Sequence, residues 1–305
     1  MKTGYILPAM LALGIAVAPA VAAESVDETR PAAATARIDF TGVTGDFEIV
    51  GHDAGELAIA GELGDGVEEL VIEGDENAWT VRLEMKENEG RNWFSGGSDS
   101  DLVIRVPHAA IVSASVVSGD LSLRGLDGER VDVRSVSGDV TVRDSAPERL
   151  SGQTVSGDLN IASGGLDTTD LQAVSGDIEA SGLLGRVAVD AVSGDIDIEG
   201  SDIVSFEAET VSGDVEARIR PTETASIRLD SHSGTVNLAL PAGTPLDFQG
   251  QTFSGGFSSD FDADTENVGE KGRNQKGLSI RQGAGTVKVR ANTFSGEVRL
   301  STLGG

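Results

Sequence analysis

Six aspartates, Asp120, Asp139, Asp158, Asp177, Asp195 and Asp214, recur at intervals of 19, 19, 19, 18 and 19 residues. Carboxylates repeated at one place in a structural unit have two chemistries open to them. Each can accept backbone amides within its own turn and stay solvated. Alternatively, neighbours can share a calcium ion, a hard cation that takes oxygen ligands. Stacked in register about 5 Å apart, the six would repel, so one of these arrangements must relieve the charge.

The remaining reactive side chains are few. A hydrolytic triad needs a histidine that meets both a nucleophile and an acid, and the chain holds only His52, His108 and His232. His232 stands where five related segments carry Val136, Val155, Val174, Val192 and Val211, so its ring is expected to replace a valine at a corner. Ser233 follows it directly, and successive side chains on a strand point to opposite faces, which argues against a dyad. His52 and His108 read as loop or strand-edge residues. The absence of cysteine excludes thiolate chemistry, and with three dispersed histidines it argues against zinc. The run Asp260-x-Asp262-x-Asp264-x-Glu266 is similar to the start of an EF-hand loop. Thr265 stands where that loop needs glycine and Lys271 where it needs the bidentate glutamate, so a solvated acidic loop is expected. No Gly-x-x-x-x-Gly-Lys-Ser/Thr motif supports nucleotide binding. Trp93 and Phe94 lie inside the polar run Arg91–Gly97. Two large aromatics there either fold back onto the core or serve as a ligand contact, stacking on a sugar ring or a partner side chain. Trp79, within an alternating strand, is expected in the core.

These residues are positioned by a repeat. The unit Val-Ser-Gly-Asp, followed by an apolar, a variable and an apolar residue, places glycines at Gly119, Gly138, Gly157, Gly176, Gly194 and Gly213. Degenerate copies follow at Ser233-Gly234-Thr235, Ser254-Gly255-Gly256 and Ser295-Gly296-Glu297, and Thr44-Gly45-Asp46 precedes them. Two short alternating strands flank each turn, as in Val131-Asp132-Val133 and Val140-Thr141-Val142. One equivalent position per unit is what a parallel stack requires, because each residue then lies over its counterpart about 4.8 Å away. Glycine supplies the positive φ of a sharp corner, and Ser and Asp can cap the amides it leaves. The predicted fold is therefore all-β, a parallel β-solenoid or β-helix of roughly 19-residue coils with Ser-Gly-Asp turns. The inward Val, Ile, Leu and Phe columns form its spine.

Residues 1–23 read as a secretory signal peptide, with Lys2, an apolar run from Tyr5 to Val21 and small residues before Glu24. Residues 24–35 are expected to be a flexible segment, and 36–110 to form irregular opening rungs with a loop at 86–101. The regular array covers 111–257, a polar loop 258–277, and closing strands 278–305, whose Lys288, Arg290 and Arg299 could cap the open edge. No later segment is apolar enough to span a membrane, so the mature chain is expected to be soluble unless tethered. Its 50 acids outnumber its 23 basic residues, for a net charge of −27 that becomes −28 once Lys2 is removed with the leader. Such a field repels nucleic acid and anionic membranes. Divalent cations, cationic peptides, basic protein patches and neutral glycans remain as partners.

The recurring Val-Ser-Gly-Asp-apolar-x-apolar motif behind an export leader resembles the bacterial DUF4097 proteins, adhesin-like chains of β-strand repeats. The likeness runs from about Ile38 to Leu300. It implies an envelope-associated, non-enzymatic protein linked to adhesion or to envelope-stress and antimicrobial-peptide responses, and carries over no catalytic set or cofactor. The main expectation is an exported adhesin-like binding or structural module of the periplasm or cell surface, with an envelope protein, glycan or cationic peptide as partner. A second is a stress accessory that sequesters cations or cationic peptides. A polysaccharide-active enzyme would need a local Asp/Arg/Lys cluster, whereas the array offers scattered Arg124, Arg134, Arg143 and Arg186.

Overall fold

A computed structural model describes residues 24–86, 99–261 and 276–304. The expected leader, Trp93, Phe94 and the acids Asp262, Asp264 and Glu266 lie outside the described residues.

All regular structure among the described residues is strand. The N-terminal part comprises β1 (Glu24–Pro31), β2 (Arg37–His52), β3 (Glu56–Leu63), β4 (Val67–Asp75), β5 (Ala78–Met85) and β6 (Ser100–Pro107). Short strands β7 (Ile111–Ser118), β8 (Leu121–Arg124), β9 (Arg130–Ser137), β10 (Val140–Arg143) and β11 (Arg149–Ser156) follow. Longer, bent strands come next: β12 (Leu159–Ser175), β13 (Ile178–Ser193), β14 (Ile196–Ser212) and β15 (Val215–Ser233). The last four are β16 (Val236–Leu240), β17 (Leu246–Ser259), β18 (Lys276–Arg281) and β19 (Val287–Thr302). Together they form one long, mostly parallel sheet with a solenoid-like course.

The register follows the sequence period. Val140 pairs with Leu121 on one side and Leu159 on the other, and the series continues through Ile178, Ile196, Val215 and Val236. These residues and Val298 are each no more than 2% exposed, so one apolar column runs through the stack. Burying such a side chain is worth about 1.5–3 kcal/mol, and no single rung could do it without neighbours.

The ends depart from expectation in three ways. Residues 24–31, expected to be flexible, form β1, which runs antiparallel along β3 from Glu24↔Leu63 to Pro31↔Glu56. This covers an edge that would otherwise expose unpaired amides, and Trp79, itself 8% exposed, donates its Nε1 hydrogen to the Pro31 carbonyl at 3.0 Å. Secondly, β2 does not open the parallel stack. It lies between β5 and β6 on one side and β7 and β8 on the other. Its Ile38, Phe40, Phe47 and Ile49 all point inward, so it needs a neighbour on each side. Thirdly, of the strands expected to close the stack only β18 does so. β19 inserts between β15/β16 and β17, and β18 covers β17 in antiparallel fashion. The expected polar loop at 258–277 is also trimmed, because β17 extends to Ser259 and β18 begins at Lys276.

Candidate functional site

At each regular corner the glycine has φ between +116° and +148°, a region that disfavours side chains. Space forbids one as well. A Cβ on Gly157 would lie 2.2 Å from the Gly138 carbonyl oxygen, and the other regular corners give 1.8 to 2.1 Å. Three amides must be satisfied there. The Gly138 amide donates to the Ser156 carbonyl at 3.0 Å, and the Val140 amide to the Asp158 carbonyl at 2.9 Å, both one rung ahead. The aspartate amide has no such carbonyl and turns the other way. Asp158 N donates to Asp139 Oδ1 at 2.9 Å, Asp177 N to Asp158 Oδ1 at 2.8 Å, and the series runs from Asp139 N on Asp120 to Thr235 N on Asp214.

The carboxylates therefore do accept amides, but from the next rung, not from their own turn as the sequence suggested. Each is a charge-assisted clasp between rungs, worth about 1 kcal/mol at this exposed place. The serines contribute carbonyls, and among the described residues the hydroxyls of Ser137 and Ser156 bond to nothing, contrary to the expected capping role. All six carboxylates line one column. Among the described residues no group of three or more acids and histidines converges as a metal site.

A second column was missed by sequence reasoning. The valine before each Ser-Gly-Asp does not join the spine. Val117, Val136, Val155, Val174, Val192 and Val211 are 39–52% exposed. Parity explains this: Val131 and Val133 point inward, so Val136 shares the outward face of Asp132 and Arg134. That signal was in the sequence, hidden by the apolar residue type. The column continues with rings. His232 stacks on Phe294 with centroids 4.9 Å apart, and Phe294 on Phe253 at 4.9 Å, all nearly parallel. Scattered exposed valines are ordinary, whereas an uninterrupted outward ladder marks a contact surface. A groove of about 600 Å³ runs beside it, lined by Val136, Val155, Val174 and Val192 and by Arg134, Gln153, Gln172 and Asp190. Its floor includes Thr154, whose buried hydroxyl has no partner.

The histidines are otherwise occupied. His232 is at the corner, as expected. The His52 ring meets the Glu56 carbonyl at 2.9 Å, and the His108 ring meets the Gly125 carbonyl at 2.5 Å and Asp53 at 3.5 Å. Among the described residues no serine or threonine hydroxyl bonds to any imidazole. Arg82, Arg130 and Arg228 are held above the usual guanidinium range by bonds to Glu73, Asp132 and Asp230 respectively. Asp190 is pushed above the usual carboxylate range by burial and then by the charges of Asp170 and Glu207.

The chain matches the model of one family over residues 37–234, about two-thirds of its length. The chain belongs to the Toastrack DUF4097 family. The Toastrack match begins with β2 and ends at Gly234, so it contains all six regular corners and leaves Phe253 and Phe294 outside. Solved structures are also similar to it. A candidate adhesin from Bacteroides fragilis is 13% identical, covering 91% of this chain and 97% of that one with a TM-score of 0.43. A candidate lipid binding protein from Parabacteroides distasonis is 12% identical, covering 89% and 96% at 0.43. A candidate cell adhesion protein from Clostridium sporogenes is 9% identical, covering 92% and 100% at 0.23. No curated protein matches the chain.

Proposed function

We propose that this Toastrack chain is an exported, non-enzymatic, adhesin-like binding protein of the bacterial cell envelope, built of roughly 19-residue solenoid coils turned at Ser-Gly-Asp. The observation that carries the reading is the outward valine ladder on a rigid stack. A soluble chain keeps such a stripe exposed at a cost in solubility, and a repeat array offers it as a flat, extended contact surface. The apolar stretch Tyr5–Val21 supports export. Among the described residues the imidazoles are occupied, and the Arg228, Asp247, Lys288 and Arg290 cluster is held in ion pairs of Arg228 with Asp230 and Lys288 with Asp247, which speaks against hydrolysis or elimination chemistry.

A second reading is sequestration of cations or cationic peptides. It is favoured by Asp190, Glu209 and Asp230, three acids that line a further groove of about 560 Å³ beside Val211 and His232 with a single cation, Arg228, among them. Fractionation of cells expressing a tagged chain, followed by binding of the purified protein to envelope preparations, tests both. The adhesin-like reading expects envelope localisation and binding that survives moderate salt and is lost in Val155→Lys/Val174→Lys. Binding that collapses with salt favours sequestration, and cleavage of an envelope polymer would overturn both.

A further inference from the structure

Two charged side chains line the groove beside the valines, Arg134 and Asp190, and neither has a hydrogen-bond or ion-pair partner among the described residues. They share one outward column, in which Arg134 pairs with Gln153, Gln153 with Gln172, and Gln172 with Asp190. The two charges thus lie equally far on either side of the Gln153–Gln172 step, along the groove that the valines border. A cation and an anion placed evenly about a centre, each unpaired, form a self-complementary surface.

We infer that in the free chain, before any envelope partner displaces it, a second copy of this chain occupies the groove, stacked face to face with its ladder reversed, so that Arg134 of each copy meets Asp190 of the other. A two-fold axis crossing the ladder at the Gln153–Gln172 step lays the corner of Gly157 over that of Gly176. It lays Gly138 over Gly194, Gly119 over Gly213 and Gly45 over Gly234. Val155 then faces Val174, Val136 faces Val192, and Val117 faces Val211. In the column of Arg134, Ser115 faces Glu209 and Thr41 faces Asp230. In the column beyond it, Asp132 faces Ala188, Ser151 faces Asp170, Ser113 faces Glu207 and Asp39 faces Arg228. In these three columns no position is set directly opposite a like charge; in the fourth outward column, farthest from the corner, Arg130 is set opposite Arg186, with the Arg130 charge already held by Asp132. The partial burial that already disfavours the charged form of Asp190 is offset once a guanidinium arrives.

The size fits as well. Eight rungs about 4.8 Å apart and the three outward columns nearest the corner give a contact of roughly 750 Å², close to the ~800 Å² that each partner contributes to a standard interface. The Toastrack match over residues 37–234 covers the same eight rungs.

Sedimentation velocity on the purified chain, across concentrations, tests the pairing. The wild type is expected to dimerise, and Val155→Lys/Val174→Lys to be monomeric with an unchanged far-ultraviolet spectrum. Arg134→Asp alone and Asp190→Arg alone each weaken the dimer by about tenfold or more, whereas the double swap restores it. A wild type that stays monomeric at tens of micromolar overturns the inference. So does a dimer indifferent to all these changes, which would place contact at the strand edges, or a double swap no better than the singles. A monomer that takes up a cationic peptide or an alkyl probe at the same valines also overturns it.

Discussion

The regular corners and the degenerate ones turn the chain in the same way but hold successive rungs together with different chemistry. From Gly119 to Gly213 an aspartate clasps the next rung's amide, and the outward residue beside it is valine. At Gly234, Gly296 and Gly255 the aspartate is replaced by Thr235, Glu297 and Gly256, and the valine by His232, Phe294 and Phe253. The clasp ends at Thr235 N on Asp214, and ring stacking begins on the very next step. Thr293 and Thr252 there direct their hydroxyls to the Gly234 and Gly296 carbonyls at 3.4 and 3.3 Å. A rung can thus be tied to its neighbour by carboxylate and amide or by stacked rings and hydroxyls, and the chain uses each where the other is missing.

The sharpest contrast concerns glycine. Gly157→Ala forces a Cβ onto the Gly138 carbonyl at positive φ and is expected to destabilise the fold by about 4 kcal/mol or more. Gly256→Ala meets nothing within 4 Å and should stay within about 0.5 kcal/mol, both measured by denaturant unfolding. Equal losses at the two sites would erase the distinction. In the aromatic segment, Phe294→Ala removes the middle ring of the stack and should cost about 1–2 kcal/mol, against less than about 0.5 kcal/mol for Val155→Ala in the regular one.

A smaller effect separates the two possible duties of the carboxylates. Asp158→Ala orphans the Asp177 amide and should cost about 1 kcal/mol, whereas Asp158→Asn keeps an acceptor and should cost less than half of that. With the carboxylates committed to amides, EDTA or millimolar calcium is expected to leave the melting temperature unchanged. A calcium-dependent rise abolished by Asp158→Asn would assign their second oxygens to a shared cation.

The smallest effect is at Asp190. Its pKa is raised in the folded chain, so its ionised form opposes folding. Its relative contribution is present in acid, below the unfolded value, and is lost as pH rises through the folded value. Asp190→Asn should therefore raise the melting temperature of the dilute chain by on the order of 1 °C at pH 7 and by nothing near pH 3. A rise of the same size at both pH values would rule out this origin.

The repeat makes the parallel stack legible in the sequence, because a fixed period and a fixed residue at each corner admit few other folds. The inward columns after the corner, such as Val140 over Leu121, were equally plain. Rung order at the ends was not. Parallel pairing asks only for an alternating apolar strand on each side, and β2 and β19 meet that demand wherever they are placed. The valine ladder was readable by parity from Val133 to Val136, yet an apolar residue in a repeat is easily assigned to the spine. The direction of the aspartate bond could not be inferred, since an amide one rung away and an amide in the same turn are equally close in a tight corner. Histidine was read more successfully, because its place in the repeat was fixed by the valines it replaces.

The insertion of β19 between β15/β16 and β17 also orders events in time. Residues 246–259 are made before 287–302, but the later segment supplies the surface on which the earlier one docks. A stack that could otherwise zip up rung by rung as it emerges must instead hold β17 in waiting across a long sequence separation, which slows its closure. The last rungs thereby register whether synthesis reached residue 302: a chain cut short at residue 286 loses β19 and leaves β17 without its parallel neighbour, a state that proteases would find readily.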